Sequence, residues 1–236
     1  MTLRHRPEYL AVGISLFASA LVLLAFVVDI TLSRSQELKS AEQRLQHYSR
    51  LLAEHHTRAL ENTEMLLREV SADLSRNRAD WREWAGSRGW EYAANRHSRA
   101  LPQLRYLAIF DEKGDQRFNS TIYPPPRINV KDRPYFQALM GGEEATSFGP
   151  YVGRNTGQHT FSLAQRILDH RNLFAGVVLA GLELNYFQEF CWPNRPSDGF
   201  DAVLTNLRGE VIASCRPLEL GEESKIIGHH FSEVLA

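Results

Sequence analysis

The sequence lacks the features that would assign it to a common enzyme or nucleic-acid-binding class. Its 236 residues hold 27 Lys and Arg against 28 Asp and Glu, so the formal net charge is −1. Without an excess of basic residues there is no positive field to attract nucleic acid. It contains no internal repeat, low-complexity tract, phosphate-binding loop, zinc signature or nucleophile–base motif. We therefore predict a chain without catalytic activity, cofactor or metal site.

Cysteine is also scarce, since Cys191 and Cys215 are the only two. Their spacing matches neither a metal knuckle nor a redox pair. A disulfide between them and two buried thiols are both open interpretations. The adjacent His55 and His56 would point about 100° apart on a helix, so they are expected to be solvated rather than to chelate a metal together.

One long apolar run interrupts this average composition. Residues 10–28 read LAVGISLFASALVLLAFVV and carry no charge. A helix of this length crosses the ~30 Å hydrocarbon core of a bilayer. Arg4 and Arg6 precede the run, so the positive-inside rule keeps residues 1–9 in the cytoplasm and places the rest of the chain outside. We predict a single transmembrane helix at residues 10–28.

The apolar run has two alternative interpretations, a cleaved signal peptide and a buried core helix. Ala18, Ser19 and Ala20 resemble a signal-peptide cleavage site, but the apolar run continues past Ala20 and cleavage would leave an apolar amino terminus. A buried core helix is disfavoured because such a helix seldom lacks every charged residue over five turns.

Residues 29–76 predict a long helix. From residue 31 to residue 76 there is no Gly or Pro, and strong helix formers predominate. One set of residues at alternating three- and four-residue steps indicates a heptad seam that would contact a second copy of the chain. The seam comprises Leu38, Ala41, Leu45, Tyr48, Leu52, His55, Ala59, Asn62 and Leu66. A second stripe, expected to face the domain itself, comprises Leu60, Leu67, Val70 and Leu74. Packing of the whole helix on its own domain, without a dimer, is the alternative.

The rest of the sequence alternates as expected for an antiparallel sheet. Residues 104–120 predict two strands about a turn at residues 112–115. Asp132 is predicted to cap a short helix that begins at Pro134. Three further strands are predicted at residues 146–152, 159–168 and 174–182. The predicted fold class is therefore α+β, with a long N-terminal helix and a PAS-like antiparallel sheet.

A second pattern of strand, turn and strand begins at Gly199, with its turn at residues 206–209. We therefore predict a membrane-distal lobe at residues 77–190 and the start of a smaller, membrane-proximal lobe at residues 191–236. The second lobe would be incomplete at Ala236, because a free-standing sheet needs three or more strands.

Four segments that follow the long helix carry a family resemblance: Asp132–Phe136 (DRPYF), Phe148–Tyr151 (FGPY), Phe161–Arg166 (FSLAQR) and Gly176–Phe187. In this order they resemble the double Cache sensors, the extracytoplasmic halves of bacterial diguanylate cyclases, histidine kinases and chemoreceptors. The resemblance implies a membrane-distal lobe that binds a small ligand and a membrane-proximal lobe. Together with the predicted anchor it places the domain in the periplasm, on the inner membrane of a bacterium, and the heptad seam predicts a homodimer. The resemblance also implies a second transmembrane helix and a cytoplasmic output domain, so we expect the chain to be a fragment or a sensor without its own output.

One branch of that family binds amino acids, and this sequence matches it only in part. Arg133, Tyr135 and Phe136 match the Arg and the aromatic pair of its motif. Ile128 stands where the branch has a Tyr, and Gly181 falls near its late Asp. Without that acid an α-ammonium group has no partner, which favours a carboxylate or another anion as the ligand.

Arg133 is the principal predicted ligand contact, because a guanidinium fork suits a carboxylate. Tyr135 is predicted as an aromatic wall beside it, next to Phe136. The further candidates are Tyr123, Tyr151, Arg154, His159 and Phe161. Each of these residues also has a purely structural interpretation.

The prediction is a membrane-anchored sensor that binds a small anion and signals through its long helix to a diguanylate cyclase or kinase domain. A protein-docking module without a small ligand is the alternative, and an exported enzyme is the least supported.

Overall fold

A computed structural model describes residues 7–78, 80–98, 101–154, 157, 159–194, 202–205 and 211–215. Side chains are described from Gly13 onward within these ranges, except at positions 98, 159 and 192–194. The helices are α1 (Pro7–Arg76), α2 (Gly86–Ser98), α3 (Pro134–Met140) and α4 (Leu184–Asn194). The strands are β1 (Leu104–Asp111), β2 (Gln116–Asn119), β3 (Ala145–Val152), β4 (His159–Leu168), β5 (Phe174–Leu182), β6 (Val203–Thr205) and β7 (Val211–Ser214).

The chain divides into two compact units, residues 1–50 and 51–236. In the first unit, residues 7–50 belong to α1. Helix α1 contains an 18-residue window with a mean hydropathy of 2.3, long and apolar enough to cross a membrane. The apolar side chains of this window are exposed, with Leu16 at 67% and Phe17 at 68%. A continuous apolar surface of this kind is unfavourable in water, in agreement with the predicted membrane anchor.

The second unit is built on a five-stranded antiparallel sheet in the order β2-β1-β5-β4-β3. Strand β5 lies at its centre, and the residues from Ala175 to Leu182 are all buried. The two predicted hairpins and the short helix between them are present. The predicted α+β fold class is confirmed.

Alternate residues of each strand point to opposite faces of this sheet. On one face, Leu107 and Ile109 of β1 join the apolar cluster that contains the second part of α1 and residues of α2. On the other face, Tyr106 and Phe110 join a smaller cluster beneath α3. The two faces therefore carry two separate cores.

Helix α1 packs on the first of these cores. The predicted domain-facing stripe is confirmed at Leu67, Val70 and Leu74, which are at most 1% exposed. The predicted heptad seam is wrong within this unit, because Leu52 and Ala59 are also buried. The buried face of α1 continues through two polar residues, His56 and Thr63. Because the prediction followed apolar residues only, it did not include these two positions in the buried face.

Helix α2 is tied to α1 by polar contacts around Asp73. The Asp73 carboxylate accepts hydrogen bonds from the Tyr92 hydroxyl (2.9 Å), Arg96 Nη2 (2.9 Å) and Arg78 Nε (3.1 Å). Partial burial acts to raise the pKa of Asp73, but hydrogen bonds from Asn77, Tyr92 and Arg78 outweigh it and lower that pKa. The carboxylate is therefore ionised at neutral pH and anchors both helices.

Helix α4, which the sequence did not predict, follows β5 and packs on α1 through aromatic rings. The His55 ring stacks on Phe190 with 3.5 Å between centroids, and the His56 ring lies 5.0 Å from that of Phe187. His56 is only 6% exposed. The expectation of two solvated histidines is wrong, because α4 covers them.

The chain after α4 is joined to it covalently. Cys191 of α4 forms a disulfide with Cys215, with their Cα atoms 5.3 Å apart. Strands β6 and β7 pair as a hairpin, and Ile212 of β7 lies in the same apolar cluster as α1. The predicted turn at residues 206–209 lies outside the described residues.

Candidate ligand-binding site

The start of α3 positions the principal predicted contact. Arg133, with extended backbone angles, is the N-terminal cap residue of α3, and Pro134 is its first helical residue. The prediction that Asp132 caps this helix is wrong. The Asp132 carboxylate instead accepts two hydrogen bonds from Arg154, Nη1 to Oδ1 at 3.0 Å and Nη2 to Oδ2 at 2.6 Å. A bidentate guanidinium is a stronger partner than a backbone N–H.

The Arg133 guanidinium, in contrast, is not neutralised. Its Nη2 donates to the Val152 carbonyl oxygen at 3.5 Å, and its Cζ lies 5.5 Å from the centroid of the Tyr151 ring. Among the described residues it forms no ion pair with a carboxylate. Its cationic charge is therefore available to an anion.

A small cavity opens beside Arg133, between α3 and the sheet. Its volume is about 30 Å³. A cavity of this size holds one or two water molecules, whereas sites for small ligands usually measure about 300–1,000 Å³. The lining residues are Tyr106, Phe110, Gln116, Ile128, Val130, Arg133, Tyr135, Tyr151, Gly153, Arg154 and Leu179. A ligand of several atoms would therefore require some of these side chains to move.

Three tyrosines supply neutral hydroxyl groups to this cavity. The Tyr151 hydroxyl lies 2.7 Å from the Ser162 Oγ, within hydrogen-bonding distance. Burial raises the pKa of Tyr106 and of Tyr135 far above the ordinary value. Both phenols therefore stay protonated and can donate a hydrogen bond to an anion.

The lining contains no carboxylate among its described residues. Gly181 of β5 is paired with Tyr106 of β1, and a Cβ atom at position 181 would overlap the Tyr106 ring. Tyr106 thus fills the space that a side chain at position 181 would need. With the unpaired guanidinium of Arg133 and no acid side chain among its described residues, the lining is suited to an anion.

The structure brings together four of the predicted site residues. Arg133, Tyr135, Tyr151 and Arg154 all line the cavity. The guanidinium of Arg154 is held by Asp132 and by the Asn129 carbonyl oxygen, to which its Nη1 also donates. Arg154 therefore lines the cavity with its guanidinium already paired to Asp132.

Three of the other four predicted residues, Phe136, Phe161 and Tyr123, do not line the cavity. Phe136 is fully buried and packs against Phe174, with ring centroids 5.5 Å apart. Phe161 belongs to the core on the opposite face of the sheet. Tyr123 is 54% exposed and lies beside Trp90. His159 begins β4, but its side chain lies outside the described residues.

Sequence analysis missed the floor of the cavity. Tyr106, Phe110 and Leu179 come from two neighbouring strands, and Gln116 begins a third. Tyr106 and Phe110 are separated by an even number of residues, so strand alternation places them on one face. The alternation does not tell which face of the sheet lines a cavity. In the structure it is the face that α3 covers.

The profile of the Cache domain family (dCache_1) matches residues 31–233 of the sequence. The chain belongs to this family. Among curated protein sequences, none is significantly similar to it.

Solved structures with the same fold include sensor domains of kinases and chemoreceptors. The extracellular domain of rpHK1S-Z16, described as a histidine kinase, is 25% identical with a TM-score of 0.67, over 75% of this chain and 71% of that domain. The amino acid chemoreceptor PctC of Pseudomonas aeruginosa PAO1, in complex with GABA, is 12% identical with a TM-score of 0.54 (74% and 76%). The chemoreceptor CtaA of Pseudomonas fluorescens, in complex with L-alanine, is 18% identical with a TM-score of 0.53 (72% and 69%). This chain therefore has the fold of an extracytoplasmic sensor domain.

Proposed function

We propose that this domain binds a small organic anion in the cavity beside Arg133. The observation that carries the proposal is a guanidinium without an acidic partner, next to a cavity whose described lining holds no carboxylate. Arg133 would bind the anion through its planar fork. Tyr135 and Tyr151 would add an aromatic wall and hydroxyl donors.

Ligand entry would require the cavity to enlarge. Arg154 is the side chain best placed to move, because it is 39% exposed and its ion pair with Asp132 lies at the surface. Exposed ion pairs contribute about 0–1 kcal/mol, and the bidentate geometry of this one places its cost toward the upper end of that range. A ligand that favours the enlarged arrangement would shift the population of the domain toward it.

The chemoreceptor structures named above contain amino acids, which makes an amino acid an obvious comparison. Those proteins are less than 20% identical to this chain. In this chain, Gly181 and the Tyr106 ring leave no acid for an α-ammonium group. We therefore propose a carboxylate or similar anion without a requirement for an amino group.

The proposed route of the signal is helix α1. It is continuous from Pro7 to Arg76, and its last turns pack on the sheet that also carries the cavity. We propose that residues 10–28 anchor it in the inner membrane of a bacterium, with the amino terminus cytoplasmic and the sensor periplasmic. Output would come from a diguanylate cyclase or kinase domain, and residues 191–236 would begin a membrane-proximal lobe.

Addition of the right anion is expected to raise the melting temperature of the chain. At a ligand concentration of about a hundred times Kd, the stabilisation is about 2.7 kcal/mol, or about 5–10 °C for a domain of this size. The measurement is differential scanning fluorimetry of the detergent-solubilised chain with acetate, pyruvate, succinate and malate. Arg133→Ala should abolish the shift, whereas Arg127→Ala, which removes an exposed arginine outside the cavity, should keep it. An undiminished shift in Arg133→Ala would refute this site.

The small size of the cavity favours a second candidate function, a docking module without a small ligand. A lining that leaves only about 30 Å³ is close to a packed core. Under this alternative none of the anions changes the melting temperature, and a stoichiometric membrane partner co-purifies with the chain.

We also propose that α1 forms a homodimer in the first unit. Leu38 and Leu45 are one heptad apart and are 64% and 46% exposed. Leucines at this spacing form the seam of a coiled coil. Leu38→Glu with Leu45→Glu is therefore expected to convert a dimer to a monomer in detergent, measured by light scattering. Leu51→Glu, at a comparably exposed leucine outside the predicted seam, is the control; an unchanged mass for the double variant would contradict the dimer.

A further inference from the structure

A second, larger groove lies between the end of α1 and the end of β4. Its volume is about 880 Å³. Its walls are the last turns of α1, the turn after α3, the last residues of β4 and the turn between β4 and β5. It shares no lining residue with the cavity beside Arg133. The two sites are therefore physically separate.

Three guanidinium groups line this groove, from Arg68, Arg76 and Arg166. Arg76 makes no hydrogen bond or ion pair with any described residue. Arg68 has only an exposed contact with Glu64, Nη2 to Oε2 at 3.5 Å, and such pairs contribute little. Two of the three cations are therefore available.

The third guanidinium group of the groove, that of Arg166, is held by a hydrogen bond. Its Nη1 donates to the Gly142 carbonyl oxygen at 2.9 Å, which fixes the guanidinium. Its Nε–H is buried and finds no acceptor among the described residues. Buried donors are seldom left unsatisfied. An anion in the groove would supply an acceptor after a small turn of the guanidinium.

The acidic residues of the groove do not neutralise these cations. The Asp169 carboxylate is committed to its own turn, since Oδ1 accepts from the backbone N–H of Arg171 (2.8 Å) and Leu173 (2.9 Å). The other acid, Glu144, forms no ion pair with a described arginine. Three guanidinium groups thus face two carboxylates, one of them held by its own turn, and the groove has a net positive charge.

A hydroxyl donor lies between the arginines on α1. The Ser75 Oγ accepts the Leu168 backbone N–H at 3.3 Å, and its own proton makes no hydrogen bond to a described residue. Ser75 lies seven residues after Arg68 on the same helix face, beside Arg76. An anion on this face would therefore meet a neutral donor as well as charges.

We propose that this groove binds a small molecule carrying at least two anionic groups, either phosphates or carboxylates. Arg68 and Arg76 lie two turns apart on α1, about 12 Å along the axis, so one short ligand with two charged ends can contact both arginines of this wall. Because its wall is α1 itself, such a ligand would bear directly on the helix that is proposed to transmit the signal. The groove is thus a second input to the same sensor.

Isothermal titration of the full chain in detergent micelles tests this site. The probes are pyrophosphate and citrate, with chloride at matched ionic strength as the monoanion. Both probes are expected to bind, and chloride to give no comparable heat. The double variant Arg68→Gln with Arg76→Gln removes two charge-assisted contacts, each worth about a tenfold change in affinity, and should raise Kd about a hundredfold.

Two matched variants make the test specific. Arg127→Gln removes an exposed arginine outside the groove and should bind the probes as the natural chain does. Arg133→Gln removes the cation of the other cavity, so the binding that persists in this variant belongs to the groove. The proposal is overturned if neither probe binds, if chloride gives the same heat, or if the double variant binds unchanged. It is equally overturned if Arg133→Gln, rather than the double variant, loses the binding.

Discussion

Gly176→Ala is expected to lower the free energy of unfolding of the sensor domain by about 3 kcal/mol or more. Gly176 has φ 153°, a conformation that side-chain-bearing residues rarely adopt, and such strain costs about 1–3 kcal/mol. A Cβ atom at this position would also overlap the Phe110 carbonyl oxygen and lie 3.2 Å from the Asp111 Cα. Because these are backbone atoms of the paired strand β1, no side-chain rotation can relieve the overlap.

Gly142→Ala is the matched control for this variant. Gly142 also has positive φ, at 122°, but a Cβ atom there would meet nothing within 4 Å. The decrease in the free energy of unfolding of Gly142→Ala should therefore reflect backbone strain alone, about 1–2 kcal/mol. Urea unfolding followed by tryptophan fluorescence measures both variants. Equal losses would show that the strand contact at Gly176 contributes nothing beyond strain.

Acidification is expected to destabilise the domain through His56. Burial, and then the neighbouring His55, lower the pKa of His56 from 6.5 to about 4. The unfolded chain therefore binds the proton more readily than the folded one, and stability is lost as the pH falls from about 6.5 to about 4. The shift corresponds to about 3 kcal/mol. Burial also lowers the pKa of His55, which acts in the same direction.

His56→Leu should remove this contribution. The variant keeps an apolar side chain against Phe187 but cannot take up a proton. Between pH 7 and pH 4 it should lose about 3 kcal/mol less than the natural chain, measured by urea unfolding at each pH. His47→Gln, at an exposed position, should retain the natural pH dependence. If His56→Leu follows the same pH curve, the buried imidazole is not the origin of the acid sensitivity.

Most of the fold was predictable because its elements carry local signals. The strands alternate, the glycine-containing turns lie between them, and Pro134 begins α3. The core face of α1 was predictable only where it is apolar, at Leu67, Val70 and Leu74. Where that face passes through His56 and Thr63, no local signal distinguishes a buried polar residue from a solvated one.

The candidate site was predictable in its charged part and not in its floor. Arg133 and Tyr135 lie on one helix, so a local motif located both. The pairing of Arg154 with Asp132 joins residues 22 positions apart and depends on the turn that follows β3. Helix α4 was missed although Leu184, Phe187 and Cys191 are spaced as on one helix face, because the segment is only 11 residues long and contains a Pro.

The contact between Tyr106 and Gly181 determines the order in which substitutions at these two positions could occur during evolution. A side chain at position 181 is blocked while the Tyr106 ring is present, because the two would occupy the same volume. An acid could therefore be acquired at position 181 only after Tyr106 had become smaller. The reverse order passes through a destabilised intermediate. A lineage of such domains would be expected to lose the ring first and gain the carboxylate second.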